Sequence, residues 1–187
     1  IKSQFWKLNL SNNYLCLDSD SEFIRPFYLS DFMYDEETPY TVLHEDKELM
    51  EWAMKAGFDF DIQKSFKEDR DKVMEVFDRK GIYYDFGPSP VIWSNKVWKS
   101  LFDNYIIPNN LTFSQLIQHC GSEFTWYGEW LLTNKVIPIY PRQPLFKVFH
   151  YPQQYIETKN KGYSQEDLAK HYLGIILQSN WGAPLKY

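Results

Sequence analysis

Cysteine is nearly missing from this sequence: Cys16 and Cys120 are the only two in 187 residues. A disulfide framework is therefore excluded as the basis of the fold, and two isolated thiols suit a reducing, cytoplasmic setting. Long apolar runs are missing as well. No stretch approaches the roughly 18 apolar residues of a membrane span, so no transmembrane helix is expected. Positive charge is not in surplus either, since 20 Lys and Arg against 25 Asp and Glu give a formal charge of −5. A protein that follows a phosphate backbone carries a basic stripe; none is visible, and nucleic acid is not an expected partner. Repeats, low-complexity tracts and linkers are absent too, which makes residues 1–187 a single domain by expectation. Aromatic rings are what the chain has in quantity, with 7 Trp, 14 Tyr and 14 Phe. Such rings stack on sugars, and more commonly they fill cores.

Apolar spacing and turn residues divide the chain into alternating elements. Residues 14–18 read as a buried strand, a short apolar run closed by turn formers. Residues 38–43 read as a second strand with Pro39 at its start, where strands tolerate proline. Glu45 to Ala56 reads as a helix with Leu49, Trp52, Ala53 and Ala56 on one face, stopped by Gly57. Ser65-Phe66-Lys67-Glu68 has the form of a capping box opening a helix that Gly81 closes. Residues 82–86 and 90–93 flank a turn at Gly87-Pro88-Ser89, and 95–104 form a helix burying Val97, Trp98, Leu101 and Phe102. Thr112-Phe113-Ser114-Gln115 is another capping box, for a helix ending at Gly121, and Ser122 caps one more to about Thr133. Residues 135–139 and 145–151 read as strands, and Ser164 opens a final helix to about Ser179. This interleaving predicts an α/β fold, a mixed sheet flanked by helices.

Chemistry concentrates first at Tyr14-Leu15-Cys16-Leu17-Asp18-Ser19-Asp20. The apolar run ends in two carboxylates one residue apart, and ligands of α/β proteins bind at the carboxyl ends of strands. Hard oxygen ligands at such an edge suit Mg²⁺ or Mn²⁺. The plain alternative is a polar turn after a strand.

Asp18-Ser19-Asp20 followed by Phe23-Ile24-Arg25-Pro26-Phe27 resembles bacterial glycosyltransferase-like proteins of the GT-A fold. Two further segments are similar to that family: Gln4-Phe5-Trp6-Lys7-Leu8, and Ser122-Glu123-Phe124-Thr125-Trp126-Tyr127-Gly128, which matches an S-E-[FY]-x-x-Y-G pattern. The resemblance implies a nucleotide-binding part ahead of the Asp18 strand, so the chain reads as the C-terminal portion of such a fold. It implies transfer of a sugar from a nucleotide-sugar donor to a carbohydrate or glycan acceptor, through Mn²⁺ or Mg²⁺. Asp20 would take the metal directly, and Asp18 would stand nearer the donor. Ser19 completes that donor-binding turn.

His150, on a strand late in the chain, is the expected third metal ligand, and its plain alternative is an ordinary strand histidine. His44, His119 and His171 have no partners at ligand spacing and receive no role. Asp85 and Gly87 border the Gly87-Pro88-Ser89 turn and are expected near the donor sugar, glycine allowing close backbone approach. Glu123 is the expected general base, against a plain role as an acidic residue in the first turn of a helix. Glu129 falls on another face of that helix and is the weaker choice. Trp126 and Tyr127 are expected to floor an acceptor sugar, against the commoner role of such a helical aromatic stripe as core.

Two other readings stay open. One is a non-catalytic carbohydrate-binding or assembly module that keeps the fold. The other is a metal-dependent phosphatase of the haloacid dehalogenase type, D-x-D-x-[TV], although Glu22 stands where that motif has Thr or Val.

Overall fold

Among the described residues, seven short strands gather into three small sheets, which helices surround. The computed structural model describes residues 2–57 and 59–178. In chain order the strands are β1 (Asn13–Cys16), β2 (Ser21–Phe23), β3 (Thr41–Val42), β4 (Val91–Ser94), β5 (Pro141–Arg142), β6 (Phe146–Phe149) and β7 (Gly174–Leu177). The α-helices are α1 (Lys47–Ala56), α2 (Asp59–Val76), α3 (Asn95–Leu101), α4 (Phe113–His119), α5 (Glu123–Asn134), α6 (Pro152–Asn160) and α7 (Gln165–Ala169). The class is α/β, with mixed and antiparallel sheets. None of the described helices is long and apolar enough to cross a membrane.

β1 pairs antiparallel with β4, Cys16 opposite Val91. The expectation of a strand buried on both faces is corrected here. Cys16 is buried and Tyr14 packs on the core, whereas Leu15 and Leu17 are 39% and 41% exposed. A strand with one covered face alternates in this way.

The mixed sheet has the order β2-β7-β6, antiparallel between β2 and β7 and parallel between β6 and β7. β7 is central, and its four residues Gly-Ile-Ile-Leu are all buried, as a strand covered on both sides requires. Residues 164–179 are therefore not one helix: α7 stops at Ala169, the strand follows, and Ser179 lies outside the described residues. β3 pairs in parallel with β5, two residues each. No regular strand forms over 135–139; Lys135 ends α5 in a left-handed conformation instead.

Local signals set several helix ends. Thr112 accepts the Gln115 N–H while Gln115 reaches back to the Thr112 N–H, and the Ser122 hydroxyl accepts from Thr125 N–H at 3.2 Å. Gly57 ends α1 at φ 81°, a conformation that costs glycine little. The Ser65 box, by contrast, lies inside α2, which already begins at Asp59 and stops at Val76 rather than at Gly81.

Six aromatic side chains are buried together in one core. Trp93, Trp98, Trp126, Tyr127 and Trp130 pack with Val97, Leu101 and Leu131 between β1–β4 and helices α3–α5. Trp93 meets Trp98 edge-on at 5.2 Å and stacks on Tyr127 at 5.5 Å. α5 presses on Phe86 at Gly128: a Cβ there would stand 2.0 Å from the root of the Phe86 ring, so only glycine fits without displacement. Helix packing thereby fixes the 85–89 segment that borders both cavities described next.

Candidate functional site

The 85–89 segment is pinned from two sides. Ser89, fully buried, donates its hydroxyl hydrogen to Asp18 Oδ2 at 2.8 Å and accepts the Asp18 N–H at 3.0 Å. From the other side a His44 ring nitrogen, Nε2, lies 2.6 Å from the Gly87 carbonyl oxygen. His44 and Asp85 also exchange both backbone hydrogen bonds, at 3.2 and 2.7 Å. Each flank of the segment faces a cavity of about 400 Å³, and Pro88 lines both.

The first cavity holds Asp18, Ser19 and Asp20, with Lys2, Ile176 and Gln178. The two aspartates stand in a turn closed by the Ser21 N–H on the Asp18 carbonyl at 3.1 Å. Lys2 forms an ion pair with Asp18 Oδ1, so both oxygens of that carboxylate are engaged.

The second cavity holds His44, Asp46, Tyr84, Lys147 and His150. Sheet register relates the two. The Leu177 N–H donates to the Asp20 carbonyl at 3.2 Å, and Leu177 pairs with Phe149, the residue before His150. Asp20, Leu177 and Phe149 thus form one row across the sheet, about 10 Å wide at two strand spacings. Asp20 and His150 share a sheet edge while lining different cavities. Burial pushes the His150 imidazole down to about 4, and the neighbouring His44 and Lys147 add to this against Asp85.

Asp85 belongs to a dense polar cluster with His44 and Asp46. Arg70 Nη2 lies 3.2 Å from Asp85 Oδ1, which also accepts the Gly87 N–H at 3.1 Å. Asp46 Oδ1 is 3.1 Å from His44 Nδ1. Burial, and then Asp85 beside it, push the Asp46 carboxyl up. Burial opposes ionisation of Asp85 too, but Arg70, the hydrogen bond from Asp46 and His44 hold it down. One carboxyl of the pair keeps its proton and the other stays anionic, the usual outcome when two carboxylates share a site.

Glu123 opens α5, where its Oε1 accepts the Ser3 N–H at 3.0 Å. Asp18 and Glu123 therefore dock on the same N-terminal turn of 3₁₀ helix (Lys2–Leu8), one through Lys2 and the other through Ser3. Glu129 is fully buried and bound in bidentate fashion by Arg79, an arrangement that closes it to solvent.

The acceptor assignment of Trp126 and Tyr127 is corrected by their burial. They are 2% and 5% exposed, the Trp126 indole N–H donates to the Leu116 and Cys120 carbonyls, and the Tyr127 hydroxyl accepts the Ser94 N–H at 2.9 Å. Rings committed to the core offer no face to a sugar. Cys16 and Cys120 are free, buried thiols; burial pushes Cys16 up to about 12, which keeps it unreactive.

His44 had no signal in local spacing except its place two residues before Asp46, since Asp85 and Arg70 reach it from distant segments. No family model matches this chain, and no curated protein or solved structure shows significant similarity to it.

Proposed function

We propose that the crevice on both flanks of the 85–89 segment is a divalent-metal-dependent glycosyl-transfer site, taking a nucleotide-sugar donor and a carbohydrate acceptor. The observation that carries the reading is the shared edge. Asp18, Asp20 and His150 come to one end of the β2-β7-β6 sheet and its β1 neighbour, with Gly87 and Asp85 on the loop between the two cavities. Carboxylates at the end of strands, beside a loop whose glycine lets backbone approach a ligand, suit a metal–diphosphate group.

The division of labour follows from the contacts. Asp18 is oriented by Ser89 and balanced by Lys2, and Asp20 is the carboxylate proposed, on the GT-A resemblance, to meet Mn²⁺ or Mg²⁺. The metal would neutralise charge on the leaving diphosphate. Lys2 lines the same cavity and is proposed to transfer from Asp18 to a phosphate oxygen when the donor arrives. Asp85 and Gly87 are proposed to border the donor sugar. Glu123 remains the proposed general base, held on the same N-terminal turn as Asp18. The core aromatic pair has no part in acceptor binding. The resemblance at Asp18-Ser19-Asp20 and at Ser122–Gly128 supports the same assignment at the level of the GT-A fold.

Calorimetry tests this directly. Mn²⁺ should enhance nucleoside diphosphate binding to the wild-type protein, and Asp20→Ala should abolish the enhancement while leaving the circular dichroism spectrum intact. Mn²⁺-dependent binding that persists in Asp20→Ala would end the proposal.

A further inference from the structure

His44, Asp46 and Asp85 do more than brace a loop. One ligand-type atom from each, a ring nitrogen and two carboxylate oxygens, lies within 4.8 Å of the others. The two strand-like segments that carry them are locked by the paired backbone hydrogen bonds between His44 and Asp85. Asp46 follows in a left-handed conformation, φ 52°, at the start of α1, and its side chain accepts no capping hydrogen bond from the helix.

The surrounding hydrogen bonds give His44 and Asp85 one anchored atom and one remaining donor atom. Nε2 of His44 sits 2.6 Å from a carbonyl oxygen, which only accepts, so Nε2 carries the hydrogen and Nδ1 keeps its lone pair in the neutral ring. Oδ1 of Asp85 is taken by Arg70 and the Gly87 N–H, and Oδ2 is the oxygen turned to His44, 3.9 Å from Nε2. Oδ1 of Asp46 lies 3.1 Å from Nδ1, close enough for the two atoms to share one cation. Histidines that bind metal usually donate their second ring N–H to a carbonyl or carboxylate, and ligating carboxylates are themselves hydrogen-bonded. The Gly87 carbonyl and the Arg70 guanidinium already stand in those two supporting positions.

We propose that His44 Nδ1, Asp46 and Asp85 Oδ2 form a second divalent-cation site, selective for Zn²⁺-class metals over Mg²⁺, with its open coordination position facing the cavity that His150 and Lys147 also line. Three protein ligands and an open position are the form of a zinc site that acts on substrate rather than one that only braces a fold. The imidazole sets the selectivity, because Mg²⁺ demands oxygen ligands and holds its waters tightly, while Zn²⁺ accepts mixed nitrogen and oxygen sets. Arg70 offsets one of the two carboxylates, so a bound divalent ion leaves a net positive centre, while Lys147 at the same cavity is paired with Glu48. The open position therefore suits an anionic group, phosphate or carboxylate. This site lies across the 85–89 segment from the Asp18–Asp20 edge, and its cation binding does not depend on occupation of that edge.

The test is Zn²⁺ titration of the wild-type protein in saturating Mg²⁺, followed by calorimetry, with Co²⁺ substitution read by its visible absorption. One equivalent of Zn²⁺ should bind, and ¹⁵N-histidine spectra of the same wild-type sample should show the His44 Nδ1 resonance moving on binding. His44→Gln and Asp46→Asn should each weaken binding by at least about 100-fold, and Asp20→Ala should leave it unchanged. Failure of the wild-type protein to take up Zn²⁺ over Mg²⁺ would overturn the proposal, as would an unmoved His44 resonance. Loss of Zn²⁺ in Asp20→Ala with retention in His44→Gln would overturn it too, without touching the proposal for the Asp18–Asp20 edge.

Discussion

Gly128→Ala carries the most information per atom changed. A methyl group on α5 at this position would lie 2.0 Å from Cγ and Cδ1 of Phe86 and 2.4 Å from Cδ2. Ordinary contact begins near 3.4 Å, so the ring must retreat by roughly 1.4 Å. The collision is at the root of the ring, where no rotamer change gives relief, and Phe86 is only 4% exposed. The backbone between Asp85 and Gly87 has to move with it. Overpacking of this kind costs about 1–3 kcal/mol, and the depth of overlap puts this case near the upper end. Alanine regains about 1 kcal/mol over glycine in a helix interior. The net expectation is a loss of about 2 kcal/mol, which in a chain of this size lowers Tm by about 4–8 °C. Urea and thermal unfolding measure it. Phe86→Ala removes Cγ and both Cδ atoms, so Gly128→Ala should cost much less in that background, with a coupling energy of about 1 kcal/mol or more in the double-mutant cycle. A Gly128→Ala protein as stable as the wild type, or one whose cost is unchanged in a Phe86→Ala background, would refute the packing argument and with it the claim that α5 positions the 85–89 segment.

Three further outcomes are expected. Arg79→Ala should destabilise by about 3–5 kcal/mol in chemical denaturation, because it leaves the fully buried Glu129 carboxylate uncompensated; adding Glu129→Gln should recover part of that, and a mild single-mutant effect would show that Glu129 is already neutral. His150, lowered from an ordinary 6.5 to about 4 chiefly by burial, binds its proton less readily folded than unfolded, so its stability contribution is full above pH 6.5 and is lost as pH falls toward 4. That loss is about 3 kcal/mol by the usual conversion of a pKa shift, and the wild-type acid limb should be steeper than that of His150→Gln by this amount; parallel limbs would contradict the burial argument. Glu123→Gln should lower transferase turnover by about 10²–10⁴-fold with donor affinity unchanged, whereas full turnover with a lower Tm would show that Glu123 serves only the start of α5 and its bond to Ser3.

What the sequence made legible is what local chemistry writes. Thr112 with Gln115, Ser122 with Thr125, and Gly57 after α1 act through neighbours three or four residues away, and all three signals read correctly. The Ser65 box failed because the same residue types tolerate a helix interior once a longer apolar stripe runs through them. α6 was overlooked although Pro152 stands at its first turn and the Gln154 side chain accepts the Tyr151 N–H, the usual signals of a helix start. Sheet partition was beyond reach. β1 with β4 and β3 with β5 join distant segments, and only those partners decide that one face of β1 meets solvent. Gly174–Leu177 reads from local spacing as the end of the Ser164 helix, and only β2 and β6, which enclose it, make it a strand. The site divides in the same manner. Asp18 and Asp20 announce themselves by spacing, while His44 acquires meaning only through Asp85, Gly87 and Arg70. Trp126 and Tyr127 were misplaced because a helical aromatic stripe has the same spacing whether it faces a ligand or a core.

The central claim is that a metal–diphosphate group binds at the Asp20 edge against the 85–89 segment. Crystals soaked with Mn²⁺ and a nucleoside diphosphate test it most directly, through anomalous difference density. The account predicts a Mn²⁺ peak within bonding distance of the Asp20 carboxylate, the diphosphate beside Gly87 and Pro88, and Lys2 moved from Asp18 to a phosphate oxygen. A nucleotide bound elsewhere, or Mn²⁺ found only among His44, Asp46 and Asp85 with the Lys2–Asp18 pair undisturbed, would contradict it.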